Sequence, residues 1–416
     1  MTTQPAQEVC EQAFQDYAEP LLSYGAPLSV ICSRHVTNRY HSSRIYIIAS
    51  QSLTKNTTAL EELQTALGDK VAKVHIGLSQ HTLMSECLAV MADIRNVQAN
   101  LIITLGGGSI SDAAKIMAYA LANGVTDKSD LLSLPHVMGS KLGLGGNTMP
   151  PAIPIIAVTT SLSGAEYIPF AGVTDDEDGI KYQFTGNCKG PSLIVISDEL
   201  SVTVPVKPWL AAGVRAIDHC VEALCTLLRP AKGWEEAEEA AIMGLQCIAP
   251  SLLKTKKDPS DEKARRTAQL GVRHSMVPLK NRVFKGASHA IGHFLGPMGV
   301  GHGETSCVLM TATHKYNFKV NAKEQSAVCN VLWDIPEVCS VFRAHNLDKA
   351  SADLGDLLDT FVRELELPRS LTEVGITSQK ELELLARHTL KDPYAKTNPI
   401  PLRTPEQVME ILIACI

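Results

Sequence analysis

Four polar side chains recur at helical spacing in the second half of this 416-residue chain. Arg215, Asp218, His219 and Glu222 fall at i, i+3, i+4 and i+7, so a helix would place them on one face. Another face of the same helix carries Leu210, Val214, Ile217, Val221 and Leu224. A charged stripe is ordinarily a solvated face, and Arg215 would then form a structural salt bridge with Asp218 or Glu222. Because the helix is otherwise apolar and small, we predict instead that the stripe lines a cleft and takes part in catalysis.

A second polar group lies further along the chain. Lys285, His289 and His293 repeat every four residues, which predicts that they share one helical face. Glycines stand at positions 296, 299, 301 and 303, and we expect them to loosen the chain around His302. One histidine alone is usually structural, but three beside a lysine in one short segment predict an active site. Imidazoles can move protons near neutral pH, and a lysine ammonium can hold an anionic oxygen.

The stretch LIITLGGGSISDAAK (101–115) predicts a ligand site of a different kind. Its apolar start predicts a buried strand, after which Ser109 stands where a helix N-cap is expected and Asp112 completes a capping box. The three glycines between strand and helix are Gly106, Gly107 and Gly108. A turn without side chains at a helix N-terminus can bind phosphate through free backbone N–H groups. We therefore predict that it holds the pyrophosphate of a dinucleotide; the alternative is a tight turn that binds nothing.

The elements that must position this turn alternate along the first half of the chain. The predicted strands and helices cover 44–50, 55–67, 72–77, 81–97, 101–105 and 153–160. Such alternation is typical of a parallel sheet with helices on both faces, in which cofactors bind beyond the carboxyl ends of the strands. Ser50, the glycine turn, Thr159 and Thr160 would lie at that edge. The Gly/Pro-rich stretch 139–151 is predicted to be a surface loop or a flap over the cofactor.

After residue 205 the predicted elements are almost all helices. The clearest helical periods cover 209–229, 234–254 and 349–365. We therefore predict an α/β dinucleotide-binding domain with a parallel sheet over 1–205. An all-helical domain over 206–416 would carry the catalytic residues, and the active site is expected in the cleft between the two domains.

Composition narrows the classes of function. The net charge is −6 with both signs interspersed, which argues against a nucleic-acid partner. No apolar run approaches the roughly 18 residues of a membrane helix, and the start of the chain lacks the basic and apolar regions of a signal peptide. The eleven cysteines include no CxxC pair, which favours reduced thiols. We therefore expect a cytoplasmic protein that acts on a small molecule.

The glycine stretch resembles the GGGSxxDxAK signature of the iron-containing alcohol dehydrogenase superfamily. Dehydroquinate synthase is a more distant relative within that superfamily. Further segments resemble that family's motifs in the same order, at 159–182, 197–205, 211–224, 285–296, 300–310 and 398–402. The resemblance covers nearly the whole chain. It implies a dehydroquinate synthase-like fold, an NAD(P)H cofactor and a homodimer.

The resemblance also implies which residues line the cofactor site besides Ser50, Ser109 and the three glycines. The positions that match the family's motifs are Asp112, Lys115, Thr159, Thr160, Ser163 and Lys181.

At the metal site the chain departs from the family's pattern. In metal-dependent members an Asp and a His four residues later bind iron or zinc, together with two further histidines. Here Arg215 stands at the position of the Asp and Lys285 at that of the third ligand, while His219 and His302 are kept. Two cations would repel a divalent metal, and two histidines alone would hold it weakly. We therefore expect no catalytic metal; if one bound, His219 and His302 would be its ligands.

The replacement resembles the maleylacetate reductases, a branch of the same family that works without metal. These enzymes use NADH to reduce a carbon–carbon double bond conjugated to a ketone, and the spacing around His293 agrees with theirs. We therefore predict a metal-independent NAD(P)H-dependent oxidoreductase for an anionic or enone substrate. Arg215 and Lys285 would hold carboxylate or enolate oxygen, and His289 or His293 would deliver a proton.

Three alternatives stay open. One is a metal-dependent alcohol dehydrogenase that recruits substitute ligands, such as Asp218 beside His219 and His302. Another is a non-redox lyase, isomerase or cyclase built on the same fold, as dehydroquinate synthase illustrates. The third is a binding-only pseudoenzyme, which the dense group of polar residues makes the weakest of the three.

Overall fold

The computed structural model describes residues 7–79, 82–138, 141–142, 147–177 and 179–416. The chain forms two compact units, Met1–Val204 and Pro205–Ile416. Of the predicted loop 139–151, residues 139, 140 and 143–146 lie outside the described residues, as does residue 81 at the start of the predicted helix 81–97.

The first unit contains two sheets. Its strands are β1 (Val9–Gln12), β2 (Leu21–Tyr24), β3 (Ile45–Ala49), β4 (Val71–Ile76), β5 (Leu101–Gly106), β6 (His136–Met138), β7 (Lys141–Leu142), β8 (Ile155–Thr159), β9 (Ala171–Thr174), β10 (Lys181–Phe184) and β11 (Leu193–Ile196). The larger sheet has the order β1-β2-β11-β8-β5-β3-β4, and all its neighbours are parallel except β1 and β2. The predicted parallel sheet is therefore confirmed.

The smaller sheet was not predicted. It has four antiparallel strands in the order β7-β6-β10-β9. Each of them is two to four residues long. Runs this short carry almost no period-2 pattern, so sequence alone gives little signal for them.

Helices cover both faces of the larger sheet. They are α1 (Leu28–Asn38), α2 (Gln51–Asn56), α3 (Ala59–Leu67), α4 (Met84–Asn96), α5 (Gly108–Ala122), α6 (Lys128–Ser133) and α7 (Asp198–Ser201). Side chains alternate along β3, so Ile45 and Ile47 join the core formed with α1 and α3. Tyr46 and Ile48 join the core formed with α4 and α5. The sheet is thus buried on both sides, as a parallel sheet requires.

The turn between β5 and α5 differs from its prediction in detail. The helix begins at Gly108 with Gly107 as its N-cap, and no side chain caps it. Ser109 therefore lies inside the first turn, and the prediction that it caps the helix is wrong. The Asp112 carboxylate instead pairs with the Lys115 ammonium at 2.7 Å. Without a capping side chain, the first N–H groups of α5 are left for another acceptor.

The described elements of the second unit are all helical. They are α8 (Val206–Leu224), α9 (Trp234–Lys257), α10 (Glu262–Lys280), α11 (Ala287–Leu295), α12 (His302–Trp333), α13 (Pro336–Ala344), α14 (Leu354–Glu364), α15 (Gln379–Thr389), α16 (Tyr394–Thr397) and α17 (Pro405–Ile413). The core formed by α11, α12, α15 and α17 includes Ile291, Leu309, Leu385 and Ile411. None of the helices in the described part of the chain is both long and apolar enough to cross a membrane.

Two expectations for this unit need correction. Lys285 lies before α11, whose N-cap is Gly286, so it does not share a helical face with His289 and His293. The glycines near His302 are not simply loosening the chain. A Cβ atom on Gly303 would lie 2.5 Å from the backbone carbon of Ala211. Because Gly303 has no side chain, α12 can approach the backbone of α8 closely at this residue.

The eleven cysteines form no disulfide, as predicted. Ten of them are buried or partly buried, and only Cys10 is exposed. They act as small apolar residues of the interior.

We expect Gly303→Ala to lower the free energy of unfolding by about 1–3 kcal/mol, because the added methyl group would push α12 away from α8. Gly296→Ala is the matched control, since Gly296 has helical dihedral angles and no atom within 4 Å of a Cβ placed there. Its effect should stay within about 0.5 kcal/mol. Urea unfolding followed by circular dichroism measures both. Equal stabilities of the two variants would contradict the close approach of the helices.

Candidate active site

Three strand ends meet at the predicted cofactor edge of the first unit. Leu105 of β5 pairs in register with Ala49 of β3, and Gly106 pairs with Thr159 of β8. Ser50, which follows β3, caps α2 by accepting a hydrogen bond from the backbone N–H of Leu53. The structure thus brings Ser50, the glycine turn and Thr159 to one edge, because the carboxyl ends of parallel strands align.

The three glycines of the turn have different surroundings. A Cβ atom on Gly106 would lie 2.8 Å from Ile110 Cδ1, and one on Gly108 would lie 2.7 Å from Ser163 Oγ. Gly106 and Gly108 are therefore packed against their own protein. A Cβ atom on Gly107 would meet only the Ser161 side chain, at 3.6 Å. The space in front of Gly107 is where a phosphate could reach the free N–H groups of α5.

Lys115 does not fit its predicted place among the cofactor contacts. Its side chain is fully buried, and its ammonium donates to the carbonyl oxygens of Ala165 and Phe170, both at 2.8 Å, as well as pairing with Asp112. The ammonium also donates to the Ile168 carbonyl oxygen at 3.4 Å, so the three carbonyls use its three protons. Lys115 therefore fastens α5 to the segment 165–170, and it has no proton left for a phosphate.

The remaining predicted cofactor residues are spread over two sheets. Ser163 lies beside the turn, where its hydroxyl accepts a hydrogen bond from Ser161 Oγ at 3.1 Å. Thr160 donates its backbone N–H to the Gly106 carbonyl. Lys181 lies on β10 of the smaller sheet, and its side chain crosses Gly172.

The predicted polar stripe of the second unit lies on α8 and is buried. The exposed fractions of Arg215, Asp218, His219 and Glu222 are between 0% and 8%. Their partners lie on α11 and α12 and in the loop before α11, so the stripe faces protein interior and is not a solvated face. Burial of four ionisable groups in one place costs free energy unless each is hydrogen-bonded.

The Glu222 carboxylate is hydrogen-bonded to the N-terminus of α11. Its two carboxylate oxygens accept hydrogen bonds from the backbone N–H groups of Gly286 and Ser288, each at 3.0 Å. The Nδ1 atom of His289 lies 2.6 Å from the same carboxylate. Burial raises the pKa of Glu222, while the backbone donors oppose that rise. The carboxylate thereby caps α11 from another helix.

Asp218 shares this interior with Glu222. Its Oδ2 atom accepts hydrogen bonds from the hydroxyls of Ser288 and Ser306, both at 2.7 Å. Its Oδ1 atom is buried and has no partner among the described residues. Burial, and then the negative charge of Glu222, raise the pKa of Asp218 to about 7. Two carboxylates so close hold a proton more firmly than either would alone.

His289 is held in one tautomer. Because a carboxylate can only accept, the Nδ1 atom that contacts Glu222 carries the proton, and Nε2 keeps its lone pair. That Nε2 is buried and without a partner among the residues described. Burial, and then the charge of Arg215, lower the pKa of His289 well below its usual range. The ring is therefore neutral and presents a proton acceptor.

His219 lies against His289, with their ring centroids 4.7 Å apart. Its Nδ1 atom is also buried without a partner in the described part of the chain. Burial, and then the charge of Lys285, lower the pKa of His219 well below its usual range. The site thus contains two neutral imidazoles.

Arg215 provides a positive charge that no carboxylate among the described residues contacts directly, although the charges of Asp218 and Glu222 act on it from a longer distance. Its Nη1 atom donates to the hydroxyls of Thr305 at 3.0 Å and Ser306 at 3.3 Å. Among the described residues no carboxylate forms an ion pair with it, so the alternative of a structural salt bridge with Asp218 or Glu222 is wrong. Burial lowers the pKa of Arg215, but a guanidinium keeps its charge at working pH.

Lys285 provides a second positive charge. It is 2% exposed, and its ammonium donates to the His219 carbonyl oxygen at 3.1 Å. Burial lowers the pKa of Lys285 to about 8. The ammonium is therefore charged at neutral pH and loses its proton in mildly alkaline solution.

His293 and His302 are more exposed to solvent than His219 and His289. The Nδ1 atom of His293 is 2.8 Å from Asp392 Oδ2, and its side chain is 37% exposed. His302 is the first residue of α12 and is exposed. The structure therefore separates the predicted histidines into two buried rings and two that reach solvent.

Sequence reasoning missed Asp392 and Thr397, which contact His293 and the loop before α11. Asp392 contacts His293, and the Thr397 hydroxyl donates to the Lys285 carbonyl oxygen at 2.6 Å. The Asn398 side chain accepts from the Ala287 backbone N–H at 3.0 Å. The motif at 398–402 resembles a family motif, but nothing in its residue types indicates which distant loop it contacts.

Two sets of side chains in the described part of the chain have the spacing of a metal site, and one of them lies here. Asp218, Glu222 and His289 offer ligand atoms that all lie within 4.8 Å of one another. The Glu222 oxygens and the Asp218 Oδ2 atom already accept from backbone, hydroxyl or imidazole donors. A cation here would have to displace those hydrogen bonds, beside the charges of Arg215 and Lys285.

Comparison with known proteins identifies the family. The model of the iron-containing alcohol dehydrogenase domain matches residues 32–198, and that of the C-terminal domain of the Fe-containing alcohol dehydrogenase family matches residues 209–416. Dehydrogenase FUM7 of Gibberella moniliformis is 34% identical over 423 residues, which cover 96% of this chain and 97% of that protein. Dehydrogenase ALT3 of Alternaria alternata is 35% identical over 390 residues, which cover 90% and 99%.

A solved structure confirms the predicted dehydroquinate synthase-like fold. The crystal structure of maleylacetate reductase from Rhizobium sp. strain MTP-10005 matches 100% of this chain and 97% of its own, with a TM-score of 0.72 and 22% identity. The shared fold, the two family models and the two relatives above 30% identity lead to one conclusion: the chain belongs to the iron-containing alcohol dehydrogenase family.

Proposed function

We propose that this protein is a metal-independent, NAD(P)H-dependent oxidoreductase that reduces a carbon–carbon double bond conjugated to a ketone in an anionic substrate. One observation carries the proposal. At two positions where the family places metal ligands, the chain has Arg215 and Lys285, both buried, and Arg215 lacks an ion-pair partner among the described residues. A buried guanidinium that no carboxylate contacts directly has donors left with which to bind an anionic ligand.

A catalytic metal does not fit these residues. Neither a guanidinium nor a charged ammonium has a lone pair to donate, and both would repel a divalent cation. The nearby Asp218–Glu222–His289 set is already hydrogen-bonded to α11 and to serine hydroxyls. In metal-dependent enzymes the metal polarises a carbonyl or holds an alkoxide, and here the two cations would supply that charge.

A dinucleotide does fit the first unit. Within 4 Å a Cβ atom at Gly107 would meet only the Ser161 side chain, and this room, together with the uncapped N-terminus of α5, supports pyrophosphate binding there. Bound NAD(P)H would supply the hydride that reduces the β-carbon of the substrate. Arg215 and Lys285 would stabilise the carboxylate and the enolate oxygen that develops. His289 or His293 would deliver the proton to the α-carbon.

The proposal predicts reduction of a conjugated keto acid without metal. Purified protein should oxidise NADH or NADPH in the presence of 4-oxopent-2-enoate, measured by the loss of nicotinamide absorbance. EDTA should leave the rate unchanged, and elemental analysis should find far less than one iron or zinc per chain. Arg215→Ala should lower kcat by about 30- to 1000-fold, corresponding to about 2–4 kcal/mol, with little change in NAD(P)H affinity. Stoichiometric metal that is lost together with activity would refute the proposal.

Dinucleotide affinity is expected to depend on the size of residue 107. Gly107→Ala and Gly107→Val should weaken NAD(P)H binding in that order, because the added carbons occupy the space of the phosphate. The valine variant should lose more than about tenfold in affinity, since a hydrogen bond to a charged group contributes at least about 1.5 kcal/mol. Fluorescence titration measures the affinity, and an unchanged melting temperature shows that the fold is intact. Normal NAD(P)H affinity in a folded valine variant would contradict phosphate binding at this turn.

Alkaline pH should reveal the contribution of Lys285. Its ammonium is charged below its pKa of about 8 and neutral above it, so kcat/KM for an anionic substrate should fall as the pH rises through about 8. In Lys285→Arg this loss should disappear, because a guanidinium does not titrate in that range. Steady-state rates between pH 6 and about 10 give the comparison. The same alkaline fall in both enzymes would assign it to another group.

A further inference from the structure

His293 and Asp392 form a pair at the solvent side of α11. The His293 Nδ1 atom lies 2.8 Å from Asp392 Oδ2. The other oxygen of Asp392 accepts the backbone N–H of Tyr394, also at 2.8 Å. With both oxygens engaged and its side chain 9% exposed, the carboxylate is fixed in place. It therefore holds the imidazole in one orientation and directs the proton to Nδ1.

The neighbouring His289 makes a similar contact with a carboxylate but differs in its burial. His289 already donates from Nδ1 to Glu222, and its Nε2 atom is buried with a free lone pair. A neutral ring in that tautomer accepts a proton and has none to give to a substrate. The His289 side chain is only 3% exposed, whereas that of His293 is 37% exposed. Water would therefore reprotonate His289 more slowly than His293.

The two rings are close enough to serve one site. The His289 and His293 ring centroids lie 6.4 Å apart with their planes nearly perpendicular. On its other side His293 lies against the Tyr394 ring, at 5.8 Å. His293 thus lies between the buried imidazoles and solvent, with a fixed carboxylate behind it.

We propose that His293 is the proton donor of the reduction and that Asp392 is its positioning residue, with His289 an acceptor that does not donate. This inference rests on the proposed function. When hydride from NAD(P)H adds to the β-carbon, the π electrons move toward the ketone oxygen and leave an enolate. The proton on His293 Nε2 passes to the α-carbon, and the imidazolium becomes a neutral imidazole that still donates from Nδ1 to Asp392. A proton from water then restores the imidazolium.

The orientation is tested without any substrate. Nitrogen-15 NMR of the neutral imidazoles should show His293 with its proton on Nδ1 in the wild-type enzyme. Asp392→Asn should move a fraction of that proton to Nε2, because an amide can donate as well as accept. The matched control is Glu364→Gln, which alters a similar surface pair in which His345 Nε2 lies 3.1 Å from Glu364. A wild-type His293 protonated on Nε2 would overturn the proposal whether or not the enzyme is active.

The role in catalysis is tested by kinetics with 4-oxopent-2-enoate and NAD(P)H. Asp392→Asn should lower kcat and raise the solvent deuterium isotope effect on it, while KM and dinucleotide affinity change little. His293→Ala should lose about 10²- to 10⁴-fold in kcat, and added imidazole should restore part of it. Glu364→Gln should match the wild type in all these quantities.

The outcomes separate the two proposals. If the wild-type enzyme oxidises NAD(P)H but Asp392→Asn leaves kcat and the isotope effect unchanged, the proton-donor role fails and the proposed function stands. If no conjugated keto acid supports oxidation of NAD(P)H, both the proposed function and the proton-donor role fail. The NMR result then decides only whether Asp392 orients the ring. Asp392→Glu, which keeps a carboxylate, should recover part of the activity, and a purely structural defect would not recover in this way.

Discussion

The hydrogen bonds to the buried carboxylate of Glu222 are the interactions on which the candidate site of the second unit depends. The carboxylate joins α8 to the N-terminus of α11 by accepting two backbone N–H groups and the Nδ1 proton of His289. These donors compensate for the burial of a charge, which would otherwise be costly. They also decide the tautomer of His289 and the place where α11 begins. One side chain thereby sets the position of a helix and the chemistry of an imidazole.

Around this carboxylate the site combines buried side chains of both charges. Positive charge from Arg215 and Lys285 lies within the same interior as the Asp218–Glu222 pair, yet Arg215 contacts hydroxyls and no carboxylate among the residues described. The negative charges are instead satisfied by backbone, serine and histidine donors. Under the proposed function, the guanidinium would therefore attract an external anion. Electrostatic stabilisation of this kind is strongest where water is excluded.

The elements around the site hold its side chains in place by close packing and hydrogen bonds. Gly303 allows the backbones of α8 and α12 to approach, which brings Thr305 and Ser306 to Arg215. The segment 392–402 reaches the loop before α11 and the exposed end of the same helix. Each contact has a modest net free energy, but together they hold the cations and the imidazoles in fixed orientations.

The sequence determined those features that depend on local pattern. Short apolar runs that alternate with segments of helical period, together with Gly106–Gly108, were sufficient for the α/β and all-helical character of the two halves and for the strand–glycine–helix turn. Spacing alone placed Arg215, Asp218, His219 and Glu222 on one helical face, since residues three and four apart always share a face.

Only the tertiary structure decided how those residues are used. It showed that Lys285 lies outside α11, which begins at Ala287 with Gly286 as its N-cap. The Gly286 N–H donates to Glu222, a residue distant in the sequence. It showed that Lys115 fastens a loop and that Asp392 contacts His293 from far along the chain. Hydrogen bonds between such distant residues follow from how helices pack, and a one-dimensional spacing carries no information about which donor will meet which acceptor.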